Sequence, residues 1–98
     1  MDCNQIVICG NIVRLDVLRY SPAGVAIMEF VIKHVSRRLE AGMPRQVMCE
    51  ILAVALGQIA LTISDIKIGS MVKLTGYLNK KSFASHQLIL HVDHIVLI

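Results

Sequence analysis

VAIMEFVIKHVS (residues 25–36) alternates with a period of two. Ala26, Met28, Phe30 and Ile32 fall on one face, while Glu29, Lys33 and the following Arg37 fall on the other, among Val25, Ile27, Val31 and Val35. Successive side chains of a strand point to opposite sides, so the first set reads as a core face. The second is half apolar and half charged, which suits a strand surface partly covered by a partner or ligand.

The same period extends in both directions. QIVICGNIVRL (residues 5–15) reads as a first strand with Gly10 in its middle, where a glycine signals a bulge or bend. SPAG (residues 21–24) is a turn, with Pro22 presetting the second position and Gly24 accepting the last, so the first two strands form a meander. Residues 47–56 read as a third strand, with the stretch around Met43, Pro44, Arg45 and Gln46 as the loop leading into it. GQIALTISDI (residues 57–66) reads as a short helix or helical turn. SMVKLTGYLNK (residues 70–80) alternates again, with Val72, Leu74, Gly76 and Leu78 inward and Lys73, Thr75, Tyr77 and Asn79 outward. Residues 81–85 read as a loop, and 87–98 as a last strand with Leu88, Leu90, Val92 and Val96 on one face. Three strands, a short helix and two strands, with two mid-strand glycines to permit coiling, are the pattern of an all-β fold: a five-stranded OB-fold barrel with a short helix or turn between strands three and four. An SH3-like barrel or another small β-domain is the alternative on pattern alone.

Composition sets limits around that pattern. The chain has 98 residues, enough for one domain spanning 1–98. Hydrophobic residues make up 55% of it, and the mean hydropathy is +0.65. So small a domain has a limited interior, so apolar side chains are expected at the surface, and a homodimer is the simplest use for them. A membrane span is the competing use. The longest mostly apolar run, ILAVALGQIALTI (residues 51–63), is shorter than the ~20 residues a spanning helix needs and contains Gln58. MDCNQ at the N-terminus has no basic segment of a secretory signal. Cys3, Cys9 and Cys49 are odd in number and lack a C-x-x-C spacing, which fits a reduced, cytoplasmic setting without a disulfide framework or zinc knuckle. Ten Lys and Arg against seven Asp and Glu give a formal charge of +3, suited to an anionic partner.

Catalysis finds no support. HVDH (residues 91–94) has the look of a metal pair, but positions i and i+3 of a regular strand face opposite sides, so His91 and His94 would not share an ion. His34 and His86 are isolated, and neither a G-x-S-x-G elbow nor a phosphate-cradling G-x-x-x-x-G-K-[ST] loop occurs. The expectation is a protein that is not an enzyme, with no metal and no cofactor.

At GSMVKLTGYL (residues 69–78) the chain resembles the fourth-strand signature of bacterial single-stranded DNA-binding proteins. SPAG, a hydrophobic strand ending KHVS (residues 33–36), and then EAGMPRQ (residues 40–46) are together similar to the PriB family, the primosomal replication proteins N, which are short dimeric relatives of those proteins. The similarity runs over nearly the whole chain. It implies an OB-fold homodimer that binds single-stranded DNA at stalled forks, contacts the restart helicase PriA and helps load the replicative machinery through DnaT. By analogy with the same relatives, first-strand pairing around Gln5–Val13 would form the dimer.

Single-stranded DNA needs cations along its phosphates and flat groups under its bases. Arg14, Arg19, Lys33, Arg37, Arg45, Lys80 and Lys81 are the candidate cations; the resemblance carries a basic residue only to Arg19, Arg45 and the loop holding Lys80 and Lys81. Any one of them reads equally well as a solvated surface charge; their clustering on loops and one strand face favours binding. The family resemblance implies stacking residues at Met43 and Met48, where better-known members have aromatics. Methionine packs on a ring face but lacks the π-surface that gives base stacking its ~1–3 kcal/mol. Phe30 alternates into the core, which leaves Tyr77 and Phe83 as candidate stackers and Tyr20 beside the SPAG turn. The expected grip is therefore more electrostatic than aromatic. A different class of function stays open: an OB-fold adaptor that holds protein partners and touches nucleic acid weakly.

Overall fold

The computed structural model describes all residues, 1–98. Six strands and one helix follow in order: β1 (Ile6–Leu15), β2 (Arg19–Tyr20), β3 (Ala26–Glu40), β4 (Met43–Leu56), α1 (Gln58–Ser64), β5 (Met71–Lys80) and β6 (Leu88–Leu97). The sheet order is β1-β5-β6-β4-β3-β2, and β1 pairs β3 as well, so five long strands close into a barrel of OB type. β4 and β6 run parallel and touch over Ala53↔Leu90 and Val54↔His91, while the other pairings are antiparallel. The two-residue β2 lies against Ile27 and Ala26, beside the SPAG turn, where Gly24 (φ 84°) donates to the Ser21 carbonyl at 2.8 Å.

The inward face read from the sequence is the core. Phe30, Ile12, Ile32, Ile63, Leu74, Leu90 and Val72 are completely buried, joined by Ala26, Met28, Ala53 and Ala55. No polar side chain is buried with them. α1 seats Ala60 and Ile63 on β3, β4 and β6, plugging the barrel. Burying Phe30 in this interior is worth several kcal/mol, so Phe30→Ala should lower stability by about 3–5 kcal/mol; a urea unfolding curve whose midpoint barely moved would remove Phe30 from the core.

Both mid-strand glycines stand where the barrel bends. At Gly10, β1 is passing from β5 to β3, and a Cβ there would lie 2.6 Å from the Lys33 carbonyl oxygen. At Gly76 the corresponding distance to the His91 carbonyl oxygen is 1.8 Å. Each glycine accompanies a bulge on a neighbouring stretch of ladder. Val13 is the extra residue between Ile12↔Ile32 and Arg14↔Val31, and Asp93 is the extra residue between Thr75↔His94 and Gly76↔Val92.

These bulges correct the simple alternation, because one extra residue moves every later side chain to the other face. After Asp93 it is Ile95 that packs on the core, while Val96, expected inside, is 57% exposed. Leu88, expected on the same inner face, is exposed as well. His91 and His94, expected on opposite sides, pair with Tyr77 and Thr75 and so share the outer face. No third metal-ligating side chain converges with them.

The largest correction concerns LEAGMPRQVMCE (residues 39–50). Residues 43–46, expected as a loop before the third strand, already belong to that strand, and the whole stretch is the end of a long hairpin. β3 and β4 stay paired from Ile27↔Leu56 out to Glu40↔Met43, joined by Ala41 (φ 52°) and Gly42 (φ 78°). Positive φ at both loop residues is the requirement of a type I′ hairpin turn, whose twist matches the strands. β1 leaves β3 at Asn11↔Lys33, where His34 Nδ1 donates to the Cys9 carbonyl at 2.7 Å and Nε2 meets Ser36 Oγ at 2.8 Å. Beyond that point the hairpin projects as a two-stranded ribbon of seven paired rungs, His34↔Cys49 to Glu40↔Met43, roughly 23 Å long. It stretches the molecule to 51 × 33 × 22 Å and its radius of gyration to 14.5 Å, above the roughly 12.5 Å of a compact chain this long.

Candidate nucleic-acid interface

The outer surface of β3 and β4 carries the candidate site. Residues opposite one another in the ladder share a face, so Val31 and Leu52, Lys33 and Glu50, Val35 and Met48, Arg37 and Gln46, and Leu39 and Pro44 form one continuous strip. Lys33, Arg37 and Met48 are thus brought together, and all three are exposed. Lys33 and Arg37 form no ion pair. The apolar members, Val35 (51% exposed), Leu39 (77%) and Met48 (57%), alternate with the charges.

Towards the barrel the strip runs into an open cleft of about 350 Å³ lined by Arg14, Val31, Glu50, Leu52, Lys81 and Gln87. Two physical causes assemble it. The Val13 bulge places Arg14 opposite Val31 on the outer face; unbroken alternation from Ile12 would have aimed it at the core. The loop between β5 and β6 is closed at its base by the Lys81 amide, which donates to the Gln87 carbonyl at 2.8 Å and keeps these two lining residues together. Arg14 and Lys81 outnumber the single carboxylate of Glu50, so the cleft is net positive. Arg14 also pairs with Asp16 at 3.1 Å, but the pair is largely exposed and worth ~0–1 kcal/mol, which an arriving phosphate can displace.

The remaining candidates are placed differently. Arg19, on β2 opposite Ile27, lies beyond Val31 on the same outer face and donates to Glu29 Oε2 at 3.1 Å. Arg45 lies on the other side of the ribbon, in one row with Arg38 and two rungs from Met43, with its Nε 3.4 Å from Glu40 Oε1. Met43 and Met48, read together as the two stacking positions, therefore face opposite ways. Lys80 closes β5 and donates to the Phe83 carbonyl at 3.0 Å, with its Nζ 5.5 Å from the centre of the Phe83 ring. Phe83 itself stands 95% exposed at the loop tip. Tyr77 is on the outer face of β5 and stacks on His91 with centroids 5.0 Å apart and planes 8° from parallel.

Several residues of this surface were not singled out from the sequence. Val31, Leu52 and Gln87 become lining residues only through strand register, which a single sequence does not reveal. Arg38 was readable, since it follows Arg37 and must face the other way. His91 reads from the sequence only as a metal ligand, because its place opposite Tyr77 depends on the β5–β6 register.

The comparisons with known proteins agree with this geometry. A model described as another single-strand binding protein family matches residues 4–94. Replication restart protein PriB of Nitrosomonas europaea is 44% identical over 89 residues, covering 91% of this chain and 82% of the relative. The PriB of Photorhabdus laumondii is 31% identical and spans 100% of this chain and 96% of its own. Among solved structures, PriB from Ralstonia solanacearum superposes with a TM-score of 0.89 at 28% identity, covering 98% of each chain. The single-stranded DNA-binding protein of Thermus aquaticus reaches a TM-score of 0.79 over 98% of this chain and 50% of its own; at 21% identity that likeness concerns the fold.

Proposed function

The chain belongs to the single-strand binding protein family, in its PriB branch, and from that premise we propose that it is a single-domain accessory protein of replication restart that binds single-stranded DNA. The observation that carries the proposal is the continuous outer strip of β3 and β4, where Lys33 and Arg37 lead into the cleft held by Arg14 and Lys81. Phosphates would follow these cations, while bases would rest on Val35, Met48, Tyr77 and Phe83. Arg19, Arg45, Lys80 and Met43 lie outside the strip and would contribute at its margins. Titrating a fluorescent oligo-dT at moderate salt, against a duplex of equal length, tests the reading. Saturable binding of the single strand with weaker binding of the duplex is expected; equal affinity for both would reduce the strip to a generic basic surface.

The working unit would be a homodimer. The outer edge of β1 has no partner strand along Ile6–Gly10, on the side away from β5, and only the Cys9 carbonyl there is engaged, by His34. Val7, Met71, Val96 and Ile98, all well exposed, cluster on the outer surface of β1, β5 and β6 next to that edge. Pairing of two β1 edges would cover them, in the cytoplasm where replication proceeds. The protein partners implied by the family, PriA and DnaT, belong to the same proposal, and the exposed apolar residues of the ribbon, Val35, Leu39 and Met48 on one face and Met43 on the other, would supply surface for them. The adaptor reading rests on that surface alone, and oligo-dT binding by the isolated protein separates the two.

A further inference from the structure

The β5–β6 register and the Asp93 bulge create a second feature on the outer face, where Val54 follows the cleft residue Leu52 along β4. Tyr77 and His91 stand opposite one another on β5 and β6, and their rings are stacked. On the next strand, Val54 lies beside His91 in the parallel β4–β6 pairing. Between them opens a recess of about 150 Å³ lined by Val54, Leu56, Tyr77, His91, Val92 and Asp93. Its lining mixes the apolar side chains of Val54 and Leu56 with the flat ring column on one side and one carboxylate, from the bulge residue that the register leaves unpaired.

We propose that this recess is a nucleobase subsite selecting bases that carry an exocyclic amino group, cytosine ahead of thymine. The inference rests on the single-stranded DNA reading and adds base preference to it. A base entering beside Val54 would extend the Tyr77–His91 column as a third ring, the aromatic grip that Met43 and Met48 do not provide. The prior stacking of the two rings holds them in place before any base arrives, so little side-chain freedom is lost on binding. Asp93 sets the preference. An ionised carboxylate only accepts hydrogen bonds, cytosine offers its N4 amino group as a donor, and thymine offers the O4 acceptor at the same position. Thymine would leave the carboxylate facing an oxygen, whereas cytosine would satisfy it. The modest volume favours a single pyrimidine ring over a purine.

The test is a pair of titrations at pH 8 with oligo-dC and oligo-dT of equal length. The chain should bind oligo-dC about fivefold or more tightly than oligo-dT. Asp93→Asn, a change at an exposed position, should bring the two affinities together, because an amide can donate to thymine O4. His91→Ala should weaken both by about fivefold or more, and His91→Phe should restore them. Equal binding of the two oligonucleotides by the unaltered chain, or a cytosine preference that survives Asp93→Asn, would overturn the subsite while leaving single-stranded DNA binding standing. Failure to bind either oligonucleotide at low salt would overturn the binding reading itself.

Discussion

Replacing Gly76 by alanine should cost more stability than the same change at any other glycine of this chain. The new Cβ would sit 1.8 Å from the His91 carbonyl oxygen, 2.8 Å from its carbon and 3.1 Å from the Val92 Cα. All three are backbone atoms of the facing strand, so no rotamer change relieves the clash. β5 and β6 would have to separate at the bulge where the barrel turns, breaking ladder hydrogen bonds on both sides. Overpacking into a yielding core costs ~1–3 kcal/mol; against backbone the loss should exceed that range, from a total stability on the order of 5–15 kcal/mol. Gly10→Ala should cost less, since its nearest atom, the Lys33 carbonyl oxygen, is 2.6 Å away. Gly24 provides the control. Nothing lies within 4 Å of a Cβ there, and only its φ of 84° resists a side chain, at ~1–2 kcal/mol. Urea unfolding of the three variants at constant m should rank them Gly76, Gly10, Gly24. A Gly76→Ala chain unfolding at the unaltered midpoint would mean that closure does not depend on that approach.

Binding to oligo-dT should fall steeply with salt. If Arg14, Lys33, Arg37 and Lys81 each neutralise one phosphate, the logarithm of the association constant should fall with that of salt at a slope of about −2.8, several-hundred-fold per tenfold change. Lys33→Ala combined with Arg37→Ala should reduce that slope by about 1.4. Arg45→Ala should do far less, because Arg45 is on the reverse of the ribbon and within reach of Glu40. Fluorescence anisotropy at four or five salt concentrations measures all three. An affinity flat with salt would remove the electrostatic account, and an equal loss from Arg45→Ala would mean that DNA contacts both faces of the ribbon.

The alternation of residues 25–36 and 70–80, the helix after residue 56 and the glycines at 10 and 76 were legible because each is a local signal. Side-chain period, helical spacing and the missing Cβ are properties of short stretches, and together they specify a small barrel with Phe30 and Leu74 inside. The family motifs lie in the same stretches, and the cations were visible as residue types. Which of them act together depends on how distant strands pair. Pro44 and the Ala41–Gly42 pair did not announce a hairpin, since the usual Asn-Gly or Asp-Gly turn signal is absent and proline argues against a strand. Once β3 and β4 are seen to pair to their tips, Arg37 and Met48 share a face and Arg45 and Met43 take the other. The bulge at Val13 turned Arg14 outward, and the bulge at Asp93 brought His94 to the face on which His91 stacks against Tyr77. A bulge arises from how two distant strands must bend to close a barrel, and one inserted residue reverses every face that follows, so those placements come from closure and not from the local order of residues.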